Sequence, residues 1–459
     1  MTEESVYGVI PAYLARDAEP EASLAEGLEG SFGHAVEIPA YAETDSLFDT
    51  LGSVPEGPLG EVLIVVVLNA RTNAPAAAHE ANAVAREKIA ALASAAEVIS
   101  EAPPARLFTY PRGRLLLIDR ALPGHYLPAG QGIGLARKIG CDVILRLRES
   151  GRLASPWIHA TDADVRLPND YFEQMSDVEP HFTAAAVYAF EHRFPDDEDL
   201  ARAGRIFEIS LRYNTLGLAW AGSPYGYEYL GSCLAIGASS YAQTGGFPRV
   251  NAIEDFTMLN DLAKLGSIQR LAGTPIELEG RISARVPVST GRALEQLVEK
   301  KGAAAAFELH HPLVYAHLAA WLRVLGAIAR RSGDLEAPLA ELPRGNPFFR
   351  ADLLEDVLGQ IGAFEAVREA IAEPADGTML LHRLHRSFDA FRTRELLDGL
   401  RDGGLVSLPF REALSEAPFT GLSAFPEDDL ETLRRLLAAE ERTLAVVPAG
   451  VPVLEVDQA

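Results

Sequence analysis

An α/β domain followed by a helical region is the fold class that the sequence predicts, and three observations predict it. Val62 to Leu68 is an uninterrupted apolar run in which five of seven residues are Val or Ile. That is the composition of a strand buried on both faces of a parallel sheet, with helices on either side. Strand-like and helix-like segments alternate over roughly residues 1–290, the pattern of an α/β fold. After about Leu294 the strand signals stop, and helical spacing continues to about residue 440.

Each element follows in order. Val6 to Ile10, ended by Pro11, reads as a short first strand, and Val62 to Leu68 as the next. Ala76 to Ser100, rich in Ala with Glu and Lys interspersed, predicts a helix; Leu115 to Ile118 predicts a strand and Gly134 to Ile144 a helix. Trp157 to Thr161 and Thr183 to Ala189 complete the strand signals named here. In the C-terminal part Ala303 to Leu309, Leu313 to Arg330, Arg350 to Ile371 and Leu380 to Leu400 fit helical spacing. Pro-containing breaks fall at Glu336 to Pro347 and Glu373 to Gly377. With no internal repeat and no long flexible linker, the expected organisation is an α/β domain over residues 1–295 and a helical domain over 296–459.

Composition narrows the function classes. The 459 residues are 48% hydrophobic and 23% charged, which excludes disordered and fibrous chains. A formal charge of −24 sets up a field that repels phosphate backbones, so a nucleic-acid partner is not expected. The two cysteines, Cys141 and Cys233, stand among apolar or small residues and read as reduced core thiols. The acidic start, Met1-Thr-Glu-Glu-Ser5, lacks the basic and apolar regions of a signal peptide. Pro312 to Ala329, the longest apolar stretch, carries His317 and Arg323, so no transmembrane segment is expected. A helix this apolar most of the way round is usually buried, although it is also where peripheral membrane contact would occur. The expectation is a cytoplasmic protein.

Two segments carry chemistry. In Trp157-Ile-His-Ala-Thr-Asp162-Ala-Asp164-Val-Arg-Leu-Pro168 a strand runs directly into carboxylates spaced i, i+2. Extended chain puts both on one side, and open α/β sheets bind ligands beyond the carboxyl ends of their strands. Such oxygens suit Mg2+ or Mn2+ shared with a substrate diphosphate, while a capping turn before Pro168 is the structural alternative. A second copy of the pattern, Asp197-Glu198-Asp199, has no strand before it and reads as a solvated loop. Farther on, Gly245-Gly246-Phe247 allows a tight backbone turn, and Glu254-Asp255 begins a helical stretch where the dipole favours acids.

Taken together, the D-x-D at a strand end, then Gly-Gly-Phe, then Glu-Asp, resemble the GT-A domain of family 2 glycosyltransferases over roughly residues 5–290. Val9-Ile10-Pro11-Ala12-Tyr13 looks like the family's first strand. The resemblance implies a GT-A (nucleotide-diphospho-sugar transferase) fold with a Rossmann-like, mostly parallel sheet. It also implies a nucleotide-sugar donor, a divalent metal and a hydroxyl acceptor. Asp164 would then be the direct metal ligand, with Asp162 contacting both metal and donor. Asp255 would be the catalytic base, supported by Glu254, and the anomer would be inverted.

Pro11, Tyr13, Asn69 and Gly246 would line the donor. Arg137 and Lys138, in Gly130-Gln-Gly132-Ile-Gly134-Leu-Ala-Arg137-Lys138, match the segment beneath the diphosphate, with Lys138 where Asn is common. His311, of the His310-His311 pair, would supply a further metal ligand. Leu68 is followed by Asn69-Ala-Arg71 where the family often carries an acid, which leaves the base open. The same glycines do not make a dinucleotide fingerprint, because Pro123 to Pro128 before them is not a strand. The basic stretch Arg281 to Arg292 is a candidate for phosphate or acceptor, and Trp220, Tyr225, Tyr227 and Tyr229 for stacking on a sugar. The rival expectations are a retaining enzyme resembling glucosyl- or mannosyl-phosphoglycerate synthases, and a non-catalytic nucleotide-sugar-binding protein.

Overall fold

The most apolar segments form the parallel centre of a mixed sheet. Strands β1 (His34–Ala40) and β2 (Val62–Asn69) are buried at every position and pair in parallel along the whole of β1. The hairpin of β3 (Ala96–Glu101) and β4 (Pro104–Tyr110) joins antiparallel to β5 (Gly113–Arg120), which runs parallel to β2. On the other side of β1, β6 (Trp157–Ala160) pairs in parallel with it. A short β7 (Val165–Arg166), then β8 (Thr183–Val187) and β9 (Phe190–Arg193), follow in the chain. Strand β10 (Leu234–Gly237) runs antiparallel to both β6 and β8, giving the run β8-β10-β6-β1-β2-β5-β4-β3. Strand Ile276–Glu279 forms a small second sheet with β7 and β9.

The chain steps from β1 outward through β2 to β5, then returns to β6 on the opposite flank of β1. Strand order therefore reverses between β1 and β6, and the carboxyl ends of these two parallel strands mark the topological switch point of the sheet.

The structure is a computed structural model in which residues 8–92, 95–282, 290–299, 307–331, 333–422 and 429–444 are described. Two units result. The first comprises the chain up to Pro195, Tyr229–Leu262 and Leu271–Arg292; the second comprises Asp196–Glu228, Ala263–Arg270 and the chain from Ala293 onward. The units thus interleave in sequence, whereas the sequence alone suggests one cut at residue 295.

The first unit holds helices α1 (Val9–Arg16), α2 (Asp45–Ser53), α3 (Ala76–Leu92) and α4 (Ile133–Glu149). Several expectations are corrected here. The described part of the expected first strand, Val9-Ile10, begins helix α1 instead. Pro11 is its third residue, where no intrahelical partner is needed for the missing N–H. The helix expected over 76–100 ends by Leu92, and Ala96 onward is strand β3. The sheet is parallel only at its centre, since the hairpin and β10 reverse direction.

In the second unit α5 (Glu198–Trp220) follows Asp197, whose side chain accepts the Leu200 N–H. The second D-x-D is therefore a helix cap rather than a loop, with Glu198 and Asp199 in the first turn. Ile209, Tyr213 and Leu216 of α5 join a core with Val314, Leu318, Trp321 and Leu325, which lie on helix Pro312–Arg330. That helix alone among the described residues is long and apolar enough to cross a membrane, and most of it is buried in this core. Arg350 to Ile371 is two helices, Ala351–Gln360 and Ala363–Ala372, separated at Gly362 with φ +67°. Leu380 to Leu400 is likewise split, because Asp389 caps a new helix by accepting the Phe391 and Arg392 N–H groups. Glu308–Leu309 is strand, not helix, and residues 303–306 of that expected helix lie outside the described residues.

Candidate active site

The site assembles around one buried guanidinium. Helix α4 is buried continuously from Gly134 to Leu145, which puts Arg137, 1% exposed, in the interior beside the ends of β1 and β6. Its Nη2 donates to Asp162 and its Nη1 to the Thr161 carbonyl at 3.2 Å. Nη1 also lies 3.5 Å from Glu37 Oε2, and Nε 3.3 Å from Glu254 Oε1. A side chain at Gly231 would bring a Cβ within 2.6 Å of Nη2, so the guanidinium requires glycine there. Arg137 thereby joins Asp162, the first acid of the D-x-D, to Glu254 of the Glu-Asp pair.

After α6 (Ala238–Thr244), Glu254 and Asp255 open helix α7 (Glu254–Leu262) behind Ile253, which adopts φ +58°. A left-handed β-branched residue is a genuine outlier, and strain of this kind costs on the order of 1–3 kcal/mol. On the helix that follows, successive side chains diverge by about 100°, so the two adjacent acids reach different partners. Glu254 faces Arg137 directly, while Asp255 accepts the Gly231 N–H at 3.0 Å and the Phe256 N–H at 2.7 Å. Gly231 in turn precedes Ser232, whose carbonyl accepts the Thr161 hydroxyl at 2.8 Å.

Negative charge exceeds positive charge here. Burial pushes the carboxyls of Glu37, Asp162, Glu254 and Asp255 above their ordinary range, against the pull of Arg137. For Glu37, 0% exposed on β1, the rise is large, and its Oε1 finds no hydrogen-bond partner among the described residues. Asp162 keeps a third of its side chain exposed. Acids whose proton affinity is raised by burial beside a single guanidinium, among the described residues, are groups that a cation or a proton would stabilise.

The second acid of the D-x-D has a different partner. Arg281, just beyond strand Ile276–Glu279, donates through Nη2 to Asp164 at 2.6 Å and to Glu43. The strand is fixed there by the Glu279 N–H, which donates to the Asp164 carbonyl at 3.1 Å. Glu43 leaves β1 on a loop shaped by Ala42, φ +54°, whose N–H donates to Asn82 Oδ1 at 2.9 Å. Asn82 also donates to the Asn69 carbonyl, and Asn69 donates to the carbonyls of Ala40 and Val67. Asn69 thus ties the ends of β1 and β2 together. Above it the Arg71 guanidinium lies 5.8 Å from the centre of the Tyr41 ring.

Other expected donor residues gather elsewhere in the first unit. Tyr13 and Lys138 are buried and bond to each other around Asp142, which accepts from Tyr13 at 2.6 Å and from Tyr241 at 2.9 Å. Gly246, φ +76°, closes this network: a Cβ there would lie 2.3 Å from Tyr13 Oη and 2.7 Å from Lys138 Nζ. The polar groups of Tyr13 and Lys138 are spent inside the protein, and Pro11 is exposed on α1. Gly132 and Gly134 donate their N–H groups to the Val250 carbonyl, so they serve a close backbone approach.

His311 belongs to the second unit, where its Nδ1 accepts the Leu313 N–H and caps helix Pro312–Arg330. His310 is half-buried, and burial lowers its affinity for a proton. Tyr225 and Tyr227 are core residues, Trp220 is 44% exposed, and the Tyr229 ring packs on Phe256 with centroids 4.5 Å apart. Arg285 lies outside the described residues.

The donors at the switch point fit a hard divalent cation in kind, being carboxylate oxygens with surplus negative charge. Among the described residues no group of three His, Cys, Asp or Glu is gathered to hold a metal ion, so a cation would need oxygens from a ligand as well. Sequence reasoning overlooked Glu37, Glu43 and Gly231. For Glu37 the signal is a lone acid within the apolar run His34-Ala-Val-Glu37-Ile-Pro-Ala40.

No protein-family model matches the chain, and no curated protein does. Among solved structures the chain is similar to the mannosyltransferase PcManGT from Pyrobaculum calidifontis in complex with GDP-Man and Mn2+. The match has 15% identity and a TM-score of 0.31, covering 83% of this chain and 94% of that one.

Proposed function

We propose that the protein is a glycosyltransferase of the GT-A, family 2 type, moving a sugar from a nucleotide-diphosphate donor to a hydroxyl acceptor with inversion. The observation that carries this reading is the convergence of Asp162 from the D-x-D and Glu254 from the Glu-Asp pair on Arg137 at the switch point between β1 and β6. Asp164, with Asp162, would hold Mn2+ or Mg2+; such a cation, when bound, offsets charge developing on the departing diphosphate. Arg137 holds Asp162 and Glu254 in place, and its guanidinium limits the repulsion among the surrounding acids. Asp255 accepts the proton of the acceptor hydroxyl. Its raised proton affinity suits a base, and the N–H groups of Gly231 and Phe256 fix the direction of its carboxylate. The protein acts in the cytoplasm in this reading.

Asp255→Asn keeps the size of the side chain but cannot take the proton. Turnover is expected to fall about 100-fold or more, with donor affinity close to wild type. Donor screening by thermal shift with and without Mn2+ supplies the substrate for this assay. Turnover of Asp255→Asn near the wild-type rate would remove the base and with it the inverting mechanism; product anomer analysis then tests the retaining alternative.

A further inference from the structure

Arg137 meets its partners along the edge of a planar group. Its nitrogens donate to Asp162, Glu254, Glu37 and the Thr161 carbonyl, and the contacts to Glu254 and Glu37, at 3.3 and 3.5 Å, are longer than usual hydrogen bonds. Edge contacts of that length restrain the tilt of the group weakly. One face, however, lies over the ring of Phe247, with Arg137 Cζ 5.9 Å from the ring centre. Phe247 is 1% exposed, so cation and ring meet away from water, where their attraction is strongest.

The ring is itself fixed from behind. Gly245 and Gly246 follow α6 with φ +85° and +76°, and their N–H groups return to the carbonyls of Ala242 and Tyr241 at 3.2 and 3.0 Å. Two successive left-handed residues make a turn that favours glycine at both positions. Lys138 donates to the Gly245 carbonyl at 3.2 Å, and the Tyr241 ring meets Phe247 edge-on with centroids 6.2 Å apart. Tyr241 is held by Asp142, which also accepts the Tyr13 hydroxyl and the Glu19 N–H. Neighbouring residues of α4 therefore hold one turn twice, Lys138 by a carbonyl and Arg137 by a ring.

We propose that Phe247 is a positioning residue, whose ring holds the Arg137 guanidinium at the tilt from which it reaches Asp162 and Glu254 together. Its part in catalysis rests on the glycosyltransferase reading of those acids. With one face on the ring, the guanidinium extends only in its own plane, and its nitrogens stay on acids that come from different elements of the fold. Loss of the ring lets the group drift. A carboxylate from which a cation withdraws takes up a proton more readily, so the acids around Arg137 report its position.

The test follows the acids by carbon NMR in the full chain labelled at the aspartate carboxyl carbon, the Asp162 and Asp255 signals being identified by their loss in Asp162→Asn and Asp255→Asn. Phe247→Met fills much of the same space without a ring face. Both titration midpoints are expected to rise by about half a pH unit, the effect of a charge withdrawing roughly 1 Å from a separation of about 4 Å. Phe247→Leu repeats the measurement with a second aliphatic side chain. In an Arg137→Lys chain, which has no planar group to lay on the ring, Phe247→Met is expected to move the midpoints by less than half as much. A residue that only filled the core would lower stability and leave both midpoints in place. The proposal is overturned if the midpoints fail to rise in folded Phe247→Met and Phe247→Leu, or if Phe247→Met moves them equally in the Arg137→Lys chain. Absence of nucleotide-sugar turnover in the wild type would instead remove the glycosyltransferase reading and leave the positioning of Arg137 standing.

Discussion

The two units each bury a cluster of arginine and glutamate, and the clusters are built to opposite accounts. In the second unit Glu208, 0% exposed, receives Arg212 at 2.7 Å and Arg434 at 3.1 Å. Arg212 continues to Glu441 at 2.6 Å, and Arg434 to Glu431 at 2.7 Å, which Arg205 and Arg435 also reach. These three carboxylates meet four guanidiniums at short distances, although the adjoining Glu228 is pushed well above its ordinary range by burial and by Glu441. In the first unit Arg137 faces Glu37, Asp162 and Glu254, two of the three contacts are 3.3 Å or longer, and Asp255 adds to the same negative field. A paired network offsets the cost of desolvation; an underpaired one leaves acids that hold protons or seek a cation. The paired arrangement fastens α5 to helix Leu430–Arg442, and the underpaired one lies at the switch point of the sheet.

Removing the hub of each cluster should separate the two most strongly. Arg137→Met strands several buried acids at once, and a loss of about 3–5 kcal/mol is expected. Hydrogen exchange should localise it to β1, α4 and α7, with divalent cations restoring part of the protection. A loss of protection confined to the second unit would contradict the assignment of Arg137 as hub.

Glu208→Gln leaves Arg212 and Arg434 without their shared charge, and about 2–3 kcal/mol is the expected cost, near that of lost bonds to charged groups. Here divalent cations should restore nothing, because the groups left behind are positive. Rescue by Mn2+ would mean that the clusters do not differ in the way described.

The smallest effect is expected at Glu37. Burial raises its carboxyl well above the ordinary range, so the folded chain keeps this proton to higher pH than the unfolded chain, which releases it above a pH of about 4.3. The stability this contributes is full below that pH and is lost as pH rises through the raised folded value. Glu37→Gln has no proton to lose. The variant should lie within about 1 kcal/mol of wild type at pH 6 and gain on it toward pH 8 in urea titrations. A variant that instead loses ground as pH rises would mean that Glu37 is ionised in the folded protein.

The sequence by itself determined the parallel centre of the sheet, because Val62 to Leu68 has no polar side to give to water. It determined the carboxylates at the end of β6 and the acids at the start of α7, since strand ends and helix starts are local features. Tertiary structure decided which strand comes first. His34–Ala40 carries a buried acid and a proline and so looks poor as a strand, yet it pairs with β2 and β6 at the middle of the sheet. Tertiary structure also decided that Tyr13, Lys138 and Gly246 close a network on Asp142, and that Arg137 meets Glu37 and Glu254 across 100 and 117 residues. Local propensity reports what a segment does alone, whereas the partner of a buried charge depends on which strands lie side by side, and that order is set only when the whole sheet forms.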